Sequence, residues 1–373
     1  MRIRKVTLHY VKLPMKQSFT TSFGTESVRH TLILKVEEVG GEVGWGEVVA
    51  DGGPWYSYET VHTAWHVIRD YIVRMIAGKD VTPENFPRIV GRIRGHNMAK
   101  AGVEFALWDL KGKLEGKPIK DLLGGVRDEV PVGLSVGVIG DVKRLLNEVE
   151  AGLNAGYHRI KLKIKPGWDI NPVRLVRREF GDIPLQVDAN AAYTLGDVEV
   201  FKELDNYGLL MIEQPLHYDD LVEHAELQKA IKTPICLDES IKSLRDAKAA
   251  HRLGSCRVIN IKPGRVGGLT ETKAIHDFAE SVGMPVWIGG MIETGIGRSF
   301  AVAAATLPNV RYPNDISPST RFWEEDLIEP PWLLTSNGTI RTPSKPGIGV
   351  EVIEERVIKN SVKTLTLTVA KLN

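Results

Sequence analysis

From Gly133 onward, short runs rich in aliphatic and β-branched residues alternate with stretches whose apolar positions recur at helical spacing. That rhythm builds parallel sheets through helical crossovers. The apolar runs cover 133–138, 159–164, 183–189, 209–214, 233–239, 257–263, 285–290 and 310–316. Between the first two, Val142, Leu145, Leu146, Val149 and Leu153 keep one helical face, and Gly156 supplies the stop. Repetition near every 25 residues predicts an α/β fold, a (β/α)7β-type TIM barrel rather than a doubly wound open sheet. The first 130 residues lack this rhythm. Strand-like stretches at 3–13 and 31–39, and a third at Gly44-Trp45-Gly46-Glu47 after the Gly40-Gly41 turn, accompany helical stretches at 60–75 and 97–115. They predict an α+β domain over 1–125, with Leu123-Gly124-Gly125 as the linker to a barrel over 126–320. The remainder, 321–373, is broken by Pro330, Pro331, Pro343 and Pro346 and is expected to pack back on the first domain.

Bulk properties narrow the class. The chain of 373 residues can bury a large core, and no stretch approaches the roughly 20 apolar residues of a membrane span. Forty-eight basic residues against 47 acidic leave a net charge of +1, so no global field favours nucleic acid or lipid surfaces. A small molecule is the expected partner. Arg2, Arg4, Lys5 and Lys12 interrupt the N-terminal apolar residues, which argues against a signal peptide and for a cytoplasmic location. Cys236 and Cys256 form no CxxC pair, so neither a disulfide framework nor a cysteine-rich zinc site is expected.

Charged residues punctuate the apolar runs. Lys163, Asp188, Glu213 and Asp238 follow one another at intervals of 25, and Lys262 comes 24 later. Equivalent places on successive barrel strands converge on the C-terminal mouth, where the active sites of such barrels lie. Three carboxylates converging there cannot all remain ionised without a cation, and an all-oxygen set suits Mg²⁺. Lys161 shares the face of Lys163 by strand periodicity, whereas Lys165 falls at the Pro166-Gly167 turn, outside the site. An amine beside a cation has its pKa lowered, which suits a lysine to act as a base near neutral pH. The alternative is a purely structural salt-bridge network.

The series Lys161-Leu-Lys163, Asp188-Ala-Asn190, Glu213-Gln-Pro215, Asp238-Glu-Ser240 and Lys262-Pro263 resembles the lysine-based, muconate-lactonizing branch of the enolase superfamily. Ala106-Leu-Trp-Asp-Leu110 and Leu122-Leu-Gly-Gly125 look like its interdomain signature, and Gly44-Trp-Gly-Glu47 like a strand of its capping domain. The segment Gly289 to Arg298 is similar to the pattern in o-succinylbenzoate synthases and N-succinylamino acid racemases. The resemblance implies that Asp188, Glu213 and Asp238 bind Mg²⁺, with Mn²⁺ an allowed substitute, and that Lys163 and Lys262 flank a carboxylate substrate. It further implies proton abstraction by Lys163, with Lys161 and the metal stabilising the ene-diolate. Protonation of a departing hydroxide by Lys163 then gives dehydration, as in menaquinone biosynthesis, and proton delivery by Lys262 gives racemisation. A homo-oligomer is implied by the resemblance alone.

Secondary candidates surround this set. Asn190 shares the parity of Asp188 and is expected to support the ligands, and Ser135 is expected to line the pocket. Gly290, Met291 and Ile292 belong to the segment that would touch substrate. Gly295 and Gly297 are expected to open a helix whose amides hold a substrate carboxylate. Residues 16–26 resemble the family's mobile loop, with Phe19 and Phe23 shielding the site from water. His62 and His66 lack the glutamate of a zinc-protease motif and read as a surface helix. Gly264-Arg-Val-Gly-Gly268 lacks the ending of a nucleotide-binding loop and reads as a tight turn. Two other classes compete: a noncatalytic barrel that binds a carboxylate ligand, and a Schiff-base aldolase using Lys163.

Overall fold

Gly44 and Gly46 let a strand lie directly on a helix. A Cβ on Gly44 would stand 2.1 Å from the Ala106 carbonyl oxygen, and one on Gly46 2.1 Å from that of Gly102. The helix is Asn97–Glu115, and the strand, β3, is Val43–Val48. It follows β1 (Ile3–Thr20) and β2 (Thr25–Glu38) in an antiparallel sheet completed by the C-terminal strand Ser361–Thr368, which pairs with β1. Val6, Leu8, Leu32, Leu34, Val36 and Val48 bury one face of this sheet with Ala99, Val103, Ala106 and Leu110 of the helix. This hydrophobic seam drives the unit together. The computed structural model describes residues 1–369.

Asp109 explains why Trp45 and Gly347 meet the same helix. Its buried carboxylate accepts hydrogen bonds from the Trp45 amide (2.8 Å), the Ile348 amide (2.9 Å) and Lys113 Nζ (2.8 Å). A single side chain thus ties the sheet, the helix and the C-terminal segment.

Seven parallel strands form the second sheet, in chain order: Gly133–Val136, Arg159–Lys163, Leu185–Asp188, Ile212–Glu213, Ile235–Leu237, Val258–Ile261 and Val286–Ile288. The eighth apolar run does not become a regular strand. Residues 310–316 instead close the barrel through isolated parallel bridges, Val286↔Val310 on one side and Val132↔Asn314 on the other. Pro313 removes a ladder donor in the middle of the run. The Asn314 side chain substitutes, accepting from the Ile288 amide (2.8 Å) and donating to the Pro131 carbonyl (3.2 Å).

The expected mobile loop at 16–26 is also different. β1 and β2 continue through it as a hairpin whose tip is 21–24, with an irregular register between Pro14 and Phe19. The tip reaches the barrel: Ser22 Oγ donates to the Asn190 carbonyl (3.2 Å), and the Val138 amide to the Thr20 carbonyl (2.9 Å).

Candidate active site

Register places the charged residues. Lys163 pairs with Asp188, and Asp188 with Glu213, across three adjacent strands, so the interval of 25 residues is one step around the barrel. Glu213 then pairs with Cys236, and Asp238 lies two residues further along. Two residues preserve the face, because side chains alternate along a strand, and shift Asp238 one pleat towards the mouth. All three carboxylates, with Lys161, Lys163 and Lys262, are buried.

Ammonium groups neutralise these anions. Lys161 Nζ lies 2.5 Å from Asp315, 2.9 Å from Glu213 and 3.2 Å from Asp188. Lys163 Nζ donates to Asp188 Oδ2 and Asn190 Oδ1, both at 2.6 Å. Lys262 Nζ lies 2.9 Å from Asp238 Oδ2, but the angle leaves that buried oxygen without a hydrogen bond. Burial opposes the Lys161 ammonium, yet the charges of Asp315, Glu213 and Asp188 outweigh it and raise its pKa. For Lys163 burial prevails, helped by the like charge of Lys161, and the pKa falls below the ordinary lysine value despite Asp188. Two lysines on one strand therefore differ: Lys161 is a fixed charge, and Lys163 gives up a proton more readily.

The lysines also shape the acids. Burial disfavours the Asp188 carboxylate, but Lys163 and Lys161 hold its pKa below the usual range. Glu213 is pushed up by burial and by the negative charge of Asp188. Glu239, buried beside Asp238, is pushed up to about 7 by burial and then by Asp188.

A cavity of about 650 Å³ opens above this floor. It is lined by Lys163, Asn190, Lys262, Gly290, Met291 and Ile292 from the barrel and by Phe19 and Phe23 from the hairpin. Ser135 is not among the lining residues, and its carbonyl accepts a hydrogen bond from Arg321. Nor do Gly295 and Gly297 present free amides. They begin the helix Gly295–Ala305, but the Gly297 amide donates to Glu47 (2.8 Å) and the Gly295 amide to Asp326 (2.8 Å). The helix N-terminus is already capped by buried carboxylates of the protein.

Several site residues escaped the sequence reading. Tyr56 lines the cavity, donates to Asp238 Oδ1 (2.9 Å) and accepts from Arg265 Nη1 (3.1 Å). Arg265 also contacts Asp238 directly. Asp315 braces Lys161, and Glu239 accepts from Asn190 (3.0 Å). Asp315 and Glu239 left a signal, as acids in the eighth and fifth apolar runs, whereas Tyr56 and Arg265 left none.

The residues suit a divalent cation. Asp188, Glu213 and Asp238 offer carboxylate oxygens, the donor type that hard cations take, and Asp238 Oδ2 is buried with no hydrogen bond. Their oxygens do not all lie within 4.8 Å of one another, since among the described residues only His276, Asp277 and Glu280 meet that condition. In that other cluster both ring nitrogens of His276 are engaged, by Asp277 and by the Asn309 amide, and Asp277 also pairs with Lys273.

A seven-stranded parallel barrel with charged strand ends and an α+β unit over its mouth defines a capped TIM-barrel protein. Residues 3–124 match the mandelate racemase / muconate lactonizing enzyme N-terminal domain, and residues 144–356 the enolase C-terminal domain-like family. The chain belongs to this family of the enolase superfamily. It is 49% identical to an o-succinylbenzoate synthase of Geobacillus kaustophilus and 48% to an N-succinylamino acid racemase of Amycolatopsis, covering 95% of this chain in both cases and 95% and 96% of those proteins. An enolase-superfamily member from Listeria innocua superposes with a TM-score of 0.95 at 38% identity, covering 99% of this chain and 100% of that one. Among the described residues no helix is long and apolar enough to cross a membrane.

Proposed function

We propose that the protein is an o-succinylbenzoate synthase, a carbon–oxygen lyase that dehydrates 2-succinyl-6-hydroxy-2,4-cyclohexadiene-1-carboxylate in menaquinone biosynthesis. The observation that carries this reading is one cavity faced by Lys163 and Lys262, whose strands stand on either side of the three carboxylate strands. Identity of 38% to 49% with synthases over nearly the full chain supports the substrate. Asp188, Glu213 and Asp238 would hold Mg²⁺, or Mn²⁺ in its place. Bound there, the cation would supply positive charge against the developing enolate oxygen.

The chain's own residues perform the proton transfers. Lys163, with its lowered pKa, takes the proton next to the substrate carboxylate. Lys161, held cationic by three carboxylates, adds fixed positive charge nearby. The C–O bond then breaks, and the Lys163 ammonium returns its proton to the departing hydroxide as water, a syn elimination on one face. Phe19 and Phe23 exclude solvent. A second reading follows from Lys262, which faces the same cavity. Delivery of a proton from its side inverts the carbon, giving racemisation of N-acylamino acids such as N-succinylamino acids. We further propose a capping domain over 1–125, a barrel over 126–320 and a closing segment over 321–373, in a cytoplasmic homo-oligomer acting on small carboxylates.

Both activities are to be assayed on the purified protein with Mg²⁺. Dehydration should be clear, and Lys163→Ala should lower it by at least about 100-fold while folding persists. Background dehydration beside fast racemisation would move the assignment to the racemase. Absence of both would favour a binding barrel, and borohydride trapping of a carbonyl substrate on Lys163 would favour the aldolase.

A further inference from the structure

The two lysines that face the cavity are held by different parts of the chain. Both hydrogen-bond partners of Lys163, Asp188 and Asn190, lie in the barrel, and Asn190 is itself fixed by Glu239. Lys262 is held otherwise. Its ammonium stands 2.9 Å from Asp238 and 4.6 Å from the centroid of the Tyr56 ring, against whose electron-rich face a cation is attracted. Tyr56 comes from the loop between β3 and the helix Val61–Val67, within the N-terminal domain. Only 8% of it is exposed, and its hydroxyl is spent on Asp238 and Arg265. Its ring meets Phe23 of the hairpin tip, with centroids 6.4 Å apart.

A lysine side chain is a flexible four-carbon stem, so where its ammonium stands depends on what holds it. We propose that Tyr56 is a positioning residue for Lys262, and through Lys262 sets the balance between the two outcomes of the site: dehydration, which runs on the Lys163 face, and racemisation, which needs both faces. The N-terminal domain thereby controls one face of the reaction while the barrel keeps the other. This inference rests on the functional reading above. It adds that reaction specificity resides partly in a residue outside the barrel.

The test measures α-proton exchange of each enantiomer of N-succinylphenylalanine in D₂O by proton NMR, with the full-length, Mg²⁺-loaded protein. Lys163→Ala and Lys262→Ala identify which enantiomer each lysine serves. Tyr56→Leu should lower the Lys262-dependent exchange by roughly 10- to 100-fold relative to the Lys163-dependent exchange, the cost of a misplaced group. The ratio of racemisation to dehydration should fall with it. Tyr56→Phe, which keeps the ring and the packing, should show the same asymmetry at smaller size, and it is read alone if Tyr56→Leu fails to fold. Equal losses at both faces, or none, would overturn the proposal. A second readout needs no turnover: in metal-free protein labelled with ¹³C-lysine, the Lys262 ε-carbon signal, assigned with Lys262→Arg, should carry an upfield ring-current shift that Tyr56→Phe keeps and Tyr56→Leu removes. An unchanged signal in Tyr56→Leu refutes the positioning role. Wild-type protein that exchanges neither enantiomer refutes the racemase reading, and one that also fails to dehydrate refutes the functional reading as a whole, with the lysine signal still deciding the role of Tyr56.

Discussion

Lys163 and Lys161 sit two residues apart on one strand, yet the fold gives them opposite tendencies. Three carboxylates surround Lys161, at 2.5, 2.9 and 3.2 Å, and keep it charged. Lys163 has one carboxylate and one amide oxygen, and burial wins. A base acts in its deprotonated form, so kcat/KM should rise with pH through an acid limb lying below the ordinary lysine value of 10.5. The limb should vanish with residual activity in Lys163→Ala but persist in Lys262→Ala. A limb at or above 10.5 would contradict the lowered pKa. Lys163→Arg offers a sharper version, because guanidinium stays protonated and cannot serve as a base, so it should be nearly as damaging as the alanine.

Three helices of this protein are started by acids from other elements. Glu59 accepts from the Met98 and Ala99 amides at the start of Asn97–Glu115, Glu104 from the Leu269 and Thr270 amides of Leu269–Ser281, and Glu47 from the Gly297 amide of Gly295–Ala305 and from the amide of its N-cap, Thr294. Each joins a favourable helix dipole to amides that lack intrahelical partners. Gly268 leaves room for this, since a Cβ there would stand 2.0 Å from Glu104 Oε2. Glu104→Ala leaves the two amides and Trp108 Nε1 without an acceptor and should cost about 3 kcal/mol or more in urea unfolding. Burial raises the Glu104 pKa to about 7 from 4.5. The native state then holds its proton longer than the unfolded chain, so this contribution is full below pH 4.5 and lost as pH rises through 7. Wild-type stability relative to Glu104→Gln should fall by roughly 3 kcal/mol from pH 4 to 8, and a rise would refute the shift. Such contacts mark where the sequence could be read and where it could not. Lys163, Asp188 and Glu213 were legible because in-register strands repeat their positions, and Asp238 because two residues preserve a face. Tyr56 was not, since it meets Asp238 across 182 residues and no periodicity links a loop to a barrel strand. The Gly297 amide looked free because its acceptor, Glu47, lies 250 residues away, and the Gly295 amide because Asp326 reaches back to it across 31 residues.

At the scale of the molecule, β1 connects the chain's end to its active site. Its first part, Lys5 to Val11, pairs with the C-terminal strand Ser361–Thr368, while its far end carries Phe19 into the hairpin over the cavity. The C-terminal strand itself adds little core, since Leu365 and Leu367 only flank the cluster containing Ile3, Val6 and Leu8, and Val369 just beyond it is the one side chain buried there among the described residues. Its contribution is the backbone ladder that covers the edge of β1. Removing residues 361–373 would expose that edge, and open edges recruit strands of other chains. The truncated protein should unfold at least about 5 °C lower in a thermal scan, since a few kcal/mol shifts a protein of this size by that amount, and should scatter light at concentrations where the full chain does not. The floor of the site lies in the barrel, with its lysines and carboxylates on strands remote from this edge. Substrate affinity should therefore suffer more than the chemical step, KM rising as the hairpin loses its support while kcat falls less. A truncated protein whose kcat collapses at unchanged KM would show that β1 acts on the lysines themselves rather than on the cover above them.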